Sequence, residues 1–150
     1  MITVVQRVSR AAVHVDGQEV GRIEVGALLF VGVETGDTRD DAEATAHKIA
    51  KLRFFPGATP MDKTLGEVGG SCLVVSQFTL AAALAKGNRP SFTAAAPPDV
   101  GEQLYARVAE GLRGCGLTVA TGQFRAHMHV TLENDGPVTF IVRVQGGRVV

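Results

Sequence analysis

The chain has 150 residues, and its 15 Lys and Arg balance its 15 Asp and Glu, so the formal net charge is zero at neutral pH. This length suits one domain with a core of its own, and 45% apolar with 20% charged residues is a globular composition. The charge balance excludes broad wrapping of nucleic acid, DNA included, which needs a basic surface. It leaves open the binding of one RNA end by a local basic loop.

No targeting or membrane segment is expected. The first residues form no charged-then-apolar leader, and no apolar run approaches the roughly 18 residues of a membrane span. Cys72 and Cys115 fit no metal spacing, and we expect both to be reduced thiols. We therefore expect a single-domain protein of the cytoplasm.

The first third of the chain predicts β-structure followed by a helix. Strand composition occurs in four segments, at 2–8, 11–15, 19–23 and 27–34. Asp16-Gly17 is a hairpin signal. Asp37 or Thr38 offers an N-cap for a helix that ends near Arg53. Apolar residues of this helix share one face, at Ala42, Ala46, Ile49 and Leu52.

The remainder predicts a loop, a strand, a long irregular segment, a second helix and three more strands. Residues 56–70 read as loop, and 71–80 begin as an apolar strand and end polar. Apolar residues at every fourth position predict a helix over 99–112, which Gly114 and Gly116 stop. The last predicted strands are 117–121, 128–133 and 138–145. The predicted fold is α+β, with a mainly antiparallel, barrel-like sheet and two helices.

The side chains alone do not identify a catalytic centre. Ser76 and Thr79 lie where an apolar strand meets a long loop, but no His or Lys is adjacent in sequence to activate either hydroxyl. His127 and His129 share one strand face, yet a third metal ligand is not evident, and a polar sheet face is the simpler interpretation. No metal or other cofactor is predicted.

Two further segments carry unusual residue combinations. K-G-N-R-P-S-F at 86–92 combines Lys86 and Arg89 with Phe92, which suits contacts to phosphate and base, although a solvated loop fits as well. N-D-G-P-V-T at 134–139 places Pro137 directly after a turn signal, where the return strand of a hairpin would begin. Proline cannot donate to a strand ladder, so this position asks for an explanation.

S-Q-F-T-L at 76–80 and N-D-G-P-V-T at 134–139 together resemble the two signature motifs of D-aminoacyl-tRNA deacylases. The resemblance covers nearly the whole chain, and it includes Q-R-V-S-R-A at 6–11, K-G-N-R-P-S-F at 86–92 and A-A-P-P at 95–98. It implies a homodimer that hydrolyses the ester between a D-amino acid and the terminal ribose of tRNA. It also separates the chain from the related animal-type deacylases, whose two motifs differ in residue type.

The resemblance implies that the Gly136-Pro137 bond is cis, that this loop projects into the pocket of the partner subunit, and that Arg7 braces it. X-Pro is the one common linkage for which cis costs only about 0.5–1 kcal/mol. Two successive carbonyls would then form a wall that excludes L side chains and leaves D side chains in open space. Glycine has no side chain to exclude, so glycyl-tRNA, including glycine mischarged on tRNA-Ala, should also be cut.

Catalysis is then expected to need no triad, because the ribose hydroxyl beside the ester can orient or activate water. Backbone N–H groups near Phe78 and Thr79 would form the oxyanion hole, and Gln77 would hold the ribose. Thr79 would contact the amino group or carbonyl of the substrate. The residues implied to bind substrate or tRNA are Gly136, Pro137, Arg7, Met128, Ala95, Ala96, Phe92, Lys86 and Arg89, beside the catalytic segment Ser76, Gln77, Phe78 and Thr79.

The chain departs from the family pattern in three places, one of which is the atypical loop at 56–63. The family commonly reads Y-A-D-T-R where this chain has A-A-A-L-A at 81–85, and F-G-A-D-M where it has F-R-A-H-M at 124–128. Two alternatives therefore stay open. One is a conventional esterase with Thr79 or Ser76 as nucleophile, and the other is a tRNA-end-binding domain without activity.

Overall fold

Seven strands, two α-helices and one 3₁₀ turn make up the fold in the computed structural model, which describes residues 1–150. In chain order they are β1 Ile2–Val15, β2 Gln18–Ile23, β3 Gly26–Gly32, α1 Arg39–Lys51, β4 Ser71–Ser76, the 3₁₀ turn Phe78–Ala81, α2 Pro98–Gly114, β5 Thr118–Thr121, β6 His129–Gln145 and β7 Arg148–Val149. Neither helix is long and apolar enough to cross a bilayer.

All strands belong to one curled sheet in the order β5-β4-β3-β1-β6-β7, with β2 paired to β1. The pairs β3–β4 and β4–β5 are parallel, and the others are antiparallel. The predicted α+β class and its two helices are thus confirmed, while the sheet is mixed. The parallel pairs arise because each of their connections carries an α-helix, which returns the chain to the same end of the sheet.

Two apolar clusters hold the sheet. The larger one lies between one sheet face and the two helices, where Ala46 and Ile49 of α1 and Val108 and Leu112 of α2 are fully buried. The lack of a side chain at Gly111 lets α1 and α2 approach closely. A Cβ at this position would lie only 2.7 Å from the Cβ of Ala46. The smaller cluster lies on the opposite face of the sheet, since Leu28 of β3 belongs to it while Ala27 and Leu29 belong to the larger one.

The predicted hairpin around N-D-G-P is wrong. Residues 128–133 and 138–145 do not fold back on each other, because both pair antiparallel with the same strand, β1, and together form the single strand β6. Gln6 pairs with Thr139 and Val8 pairs with Asn134, so residues 135–138 all lie opposite Arg7 alone. The proline therefore sits in a large bulge of a continuous strand, where no ladder hydrogen bond is lost.

The predicted strand 71–80 is also shorter than expected. It ends at Ser76, where its partner Val31 lies one residue before the end of β3, and Phe78–Ala81 turn into a 3₁₀ helix. The N–H of Gln77 still donates to the carbonyl of Val31 at 2.8 Å, which is the last hydrogen bond of the ladder between β3 and β4. The polar end of the S-Q-F-T-L segment is thereby lifted out of the sheet.

Asp41 joins the start of α1 to the turn between β6 and β7. Its buried carboxylate accepts hydrogen bonds from the N–H and hydroxyl of Thr38 at 2.8 and 2.9 Å and from the N–H of Gly147 at 2.8 Å. Burial alone would raise the pKa of this carboxyl, but the three donors outweigh burial and hold the pKa below its usual range.

Asp41→Asn is expected to lower the free energy of unfolding by about 1–3 kcal/mol at pH 7, because it weakens a buried, fully bonded acceptor. A carboxyl whose pKa is lowered by folding stabilises the protein above the unfolded pKa of about 3.9, and this contribution is lost as the pH falls through the folded pKa. Urea unfolding at pH 7 and near pH 3 should therefore show a difference that shrinks on acidification. Asp40→Asn, at an exposed neighbouring position, should stay within about 0.5 kcal/mol of the parent.

Candidate active site

A cavity of about 700 Å³ opens at the end of β4, between the sheet edge, the start of α2 and the segment that leads into β6. Its walls are mostly apolar, and it has the size of a pocket for a nucleoside-sized ligand. Its lining unites segments far apart in the chain: Val33, Val75, Ser76, Gln77, Phe78, Ala95, Ala96, Pro98, Gly101, Phe124, Arg125, Ala126, His127, Met128 and Val130.

The S-Q-F-T-L segment forms one edge of this cavity. The N–H groups of Phe78 and Thr79 stand at the start of the 3₁₀ turn and donate to no acceptor in the protein. Such N–H groups are free because a helix supplies no partner for its first donors. The segment thus offers two unused backbone donors beside an apolar cavity.

The surroundings of the Thr79 hydroxyl do not favour a nucleophile. Its oxygen accepts a short hydrogen bond from the side-chain amide N–H of Gln77, and it has no other partner in the protein. An amide N–H cannot take a proton, whereas an activated hydroxyl needs an adjacent base. Thr79 is exposed and does not itself line the cavity.

Phe92 lies next to the cavity but outside its lining. Its ring packs edge-on against Phe78, with ring centroids 5.1 Å apart, and both rings are partly exposed, at 39% and 56%. Lys86 and Arg89 are carried on the loop closed by the bridge Ala83–Ser91, where both are exposed and form no ion pair. The structure thus places the loop cations away from the cavity wall.

Arg7 holds the β6 bulge from beneath. Its buried guanidinium donates to the carbonyls of Asp135 at 3.1 Å and Phe54 at 2.8 Å, and it forms an ion pair with the Asp135 carboxylate at 3.0 Å. The side-chain amide of Asn134 closes the bulge by donating to the carbonyls of Arg7 at 2.8 Å and Val138 at 3.3 Å. The bulge is thus fastened at both ends.

Gly136 and Pro137 form the exposed tip of this bulge, and the peptide bond between them is cis. Neither lines the cavity of its own chain. The bulge lies opposite Arg7, whereas Ser76 lies level with Thr3, four residues along β1 and three strands across the sheet. Strand spacing then separates the tip from the cavity edge by roughly 20 Å.

Sequence reasoning missed several residues of the cavity, above all Arg125 and His127. Both are exposed at its rim, and Arg125 adopts a left-handed backbone conformation with φ of 64°. Their departure from the family pattern was the one signal in the sequence. His127 stacks on His129, with ring centroids 4.9 Å apart, and no cluster of three or more metal-ligating side chains exists.

Comparison with known proteins shows the family and agrees with the fold. The profile described as D-Tyr-tRNA(Tyr) deacylase matches residues 4–143. The D-aminoacyl-tRNA deacylase of Geobacter metallireducens is 54% identical over 143 residues, which is 95% of each chain. That of Heliobacterium modesticaldum is 51% identical over 148 residues, which is 98% of this chain and 99% of the relative.

Solved structures match over the same extent. A protein described as c-Myc DNA unwinding element binding protein superposes with a TM-score of 0.90 at 36% identity, over 97% of this chain and all of the other. A probable eukaryotic D-amino acid tRNA deacylase superposes with a TM-score of 0.79 at 18% identity, over 93% of this chain and 97% of the other, a likeness in fold. Both solved structures thus share the small α+β fold of this chain. The chain belongs to the D-Tyr-tRNA(Tyr) deacylase family.

Proposed function

We propose that this protein hydrolyses the ester bond of D-aminoacyl-tRNA in the cytoplasm and releases the free D-amino acid and tRNA. The observation that carries the proposal is the S-Q-F-T-L segment, which places two unused N–H donors at the edge of a nucleoside-sized cavity. The relatives with 51% and 54% identity, which bear the name D-aminoacyl-tRNA deacylase, support it.

The terminal adenosine of tRNA occupies the cavity in this proposal. Apolar contacts from Met128, Ala95 and Ala96 face the base, since all three line the cavity. The ester then lies beside Phe78 and Thr79, whose free N–H groups receive the negative charge that develops on the ester carbonyl oxygen. Gln77 holds the ribose, and Thr79 contacts the amino group or the carbonyl of the substrate.

The attacking water is oriented by the 2′-hydroxyl of the same ribose. This assignment is supported by the lack of a base next to Thr79, whose hydroxyl contacts only the amide N–H of Gln77. Water adds to the ester carbonyl carbon, and the bond to the ribose oxygen then breaks, so the amino acid leaves as its carboxylate and the ribose hydroxyl is restored. Positioning and carbonyl stabilisation are the contribution of the protein.

Selection between enantiomers falls to the tip of the β6 bulge in a second copy of the chain. The tip is exposed, is fastened through Arg7 and Asn134, and lies roughly 20 Å from the cavity of its own chain, a separation that follows from strand spacing. A partner subunit brings tip and cavity together. The carbonyls of Gly136 and Pro137 then occupy the direction of an L side chain, whereas a D side chain points to open space.

An apolar patch supports the homodimer. Ile141 is 65% exposed on β6, and its cross-strand neighbour Val4 and the next neighbour Phe30 present their side chains on the same sheet face. Val4 and Phe30 are half-buried, so the three residues form a contiguous, partly exposed apolar patch, and such patches commonly mark a protein interface. The patch lies a few residues from the bulge on the same strands, so an interface here would carry the bulge toward the partner.

The experiment presents matched tRNAs that carry a D-amino acid, its L-enantiomer and glycine, and it measures release of the amino acid. We expect fast release from the D-aminoacyl-tRNA and from glycyl-tRNA, glycyl-tRNA-Ala included. Release from the L-aminoacyl-tRNA should be at least about 10²-fold slower, since a clash that displaces the ester by about 1 Å costs that much.

Three other outcomes would contradict parts of the proposal. Equal release of both enantiomers would contradict the proposed selection between enantiomers, but it would agree with the proposed esterase activity. Release of D-residues without glycine would show that the D side chain is recognised rather than tolerated. Binding of tRNA without release of any amino acid would leave a domain that only binds the tRNA end, which the substitutions at 81–85 had left open.

A further inference from the structure

Three cationic or imidazole side chains form a strip that begins at the cavity rim, and the proposed chemistry does not use them. Arg125 and His127 line the rim, and His129 lies two residues further, at the start of β6. All three are exposed. The strip extends over five residues, from the turn at Arg125 to the first residue of β6.

The geometry of the strip is ordered. The rings of His127 and His129 stack with centroids 4.9 Å apart and planes 30° apart, so both project on one side of the chain. His129 pairs directly with His14 of β1, which places His14 on the same side. There the strip ends, because His14 Nε2 lies 3.8 Å from a carboxylate oxygen of Glu19.

The strip lacks carboxylate partners, in contrast to its surroundings. Arg125, His127 and His129 take part in no ion pair, whereas the neighbouring Arg10 pairs with Glu133 at 3.1 Å and Arg22 pairs with Glu24 at 2.9 Å. Unpaired donors beside an RNA cavity suit phosphate, because guanidinium presents several N–H groups in a fixed fork and imidazole presents a ring N–H.

The backbone at Arg125 strengthens the argument. Its φ of 64° is a conformation that glycine adopts freely and that costs other residues of order 1 kcal/mol or more. The chain therefore carries this arginine at the cavity rim at a cost in backbone strain.

We propose that Arg125, His127 and His129 bind phosphates of the RNA strand that leads into the cavity. The proposal rests on the proposed function, which places the terminal adenosine in that cavity. The strand then leaves the cavity over the rim, and the phosphates of the nucleotides before the terminal adenosine lie along the strip. The carboxylates of Glu19 and Glu133 end the path, since they repel phosphate.

The test compares three D-aminoacyl substrates that share the ester: the aminoacyl adenosine without phosphate, the terminal trinucleotide and the full tRNA. The variants are H129Q, which leaves the cavity lining intact, and R125N combined with H127Q, where asparagine tolerates the left-handed backbone. His47→Gln, at an exposed histidine of α1, is the matched control. Thermal melting establishes that each variant is folded.

We expect kcat/KM for the trinucleotide and the tRNA to fall about 10-fold in H129Q and up to about 100-fold in the double variant, through KM. The loss for the aminoacyl adenosine should be at least about fivefold smaller, because this substrate carries no phosphate. The slope of log kcat/KM against log salt concentration should become shallower for tRNA. His47→Gln should match the parent throughout.

Equal losses of kcat/KM on all three substrates would contradict phosphate binding by the strip and would indicate that His127 takes part in the chemical step. Unchanged values on all three would contradict phosphate binding as well. Binding of the unacylated trinucleotide is measured in parallel, because it tests phosphate binding by the strip without any hydrolysis. The variants must bind this trinucleotide at least about tenfold more weakly than the parent does. A parent protein that cleaves no substrate would overturn the proposed function alone, and this binding result would still decide the strip.

Discussion

A D-aminoacyl-tRNA that ends in 2′-deoxyadenosine is expected to be hydrolysed about 10²- to 10⁴-fold more slowly than the same tRNA that ends in adenosine, because it lacks the group that handles the proton of the attacking water. The ester on the 3′-oxygen is otherwise unchanged. The slower rate should appear in single-turnover experiments as a lower rate of the chemical step, with substrate binding nearly unaltered.

The reason lies in what surrounds the S-Q-F-T-L segment. The Thr79 hydroxyl contacts an amide N–H of Gln77, so no protein group takes its proton. In the proposed mechanism the free N–H groups of Phe78 and Thr79 stabilise the developing negative charge but transfer no proton. His127 is the one imidazole that lines the cavity, and it stands at the rim. The ribose hydroxyl adjoins the ester in every substrate, and in the proposed mechanism it supplies what the protein lacks.

Thr79→Ala is the matched control for this experiment. It removes one of the two candidate nucleophiles of the segment, the other being Ser76, and it should retain activity within about tenfold on the normal substrate, since an uncharged contact of this kind contributes about 1 kcal/mol. A Thr79→Ala protein that binds substrate but does not turn over would support the conventional esterase instead. A deoxy substrate cleaved at the normal rate would show that the protein supplies the base, and loss of turnover on aminoacyl adenosine in H127Q would identify it as His127.

The sequence predicted the elements better than their connections. The helices were located because their apolar residues recur at helical spacing and their ends carry stop or capping signals, as at Thr38 before α1 and the left-handed Gly116 after α2. The bulge at 135–138 was interpreted as a hairpin because Asp-Gly between two alternating segments is the local signature of a turn. Local signals cannot show that both segments pair with the same partner, β1, since that pairing is a long-range property.

The cavity shows the same limit. Ser76, Gln77 and Phe78 were found because they belong to one motif, and Ala95, Ala96 and Met128 because the family resemblance covers them. Arg125 and His127 were noticed only as departures from the family. Their position at the rim depends on a connection between β5 and β6 that brings them beside β4 and α2, and no periodicity records that packing.

Gly136→Ala is expected to reduce hydrolysis of D-aminoacyl-tRNA and glycyl-tRNA by about 10²-fold, because an added Cβ at the tip of the bulge pushes the aminoacyl group away from the oxyanion donors. The fold should tolerate the change. The new Cβ would meet only the side-chain oxygen of Asn134, at 3.2 Å, before other atoms that lie 3.8 Å away or more. The melting temperature should therefore change little while kcat/KM falls.

Gly114→Ala is the control, since a Cβ there meets nothing within 4 Å and the residue is the last of α2. It should leave hydrolysis of both substrates unchanged. If Gly136→Ala keeps full activity on the D-substrate, the tip does not approach the aminoacyl group, and the filter must be built from other atoms. An added side chain can only narrow the space that the L side chain would need. If the variant instead gains activity on an L-substrate, the flexibility of the tip, and not the space that it fills, determines the selection between enantiomers.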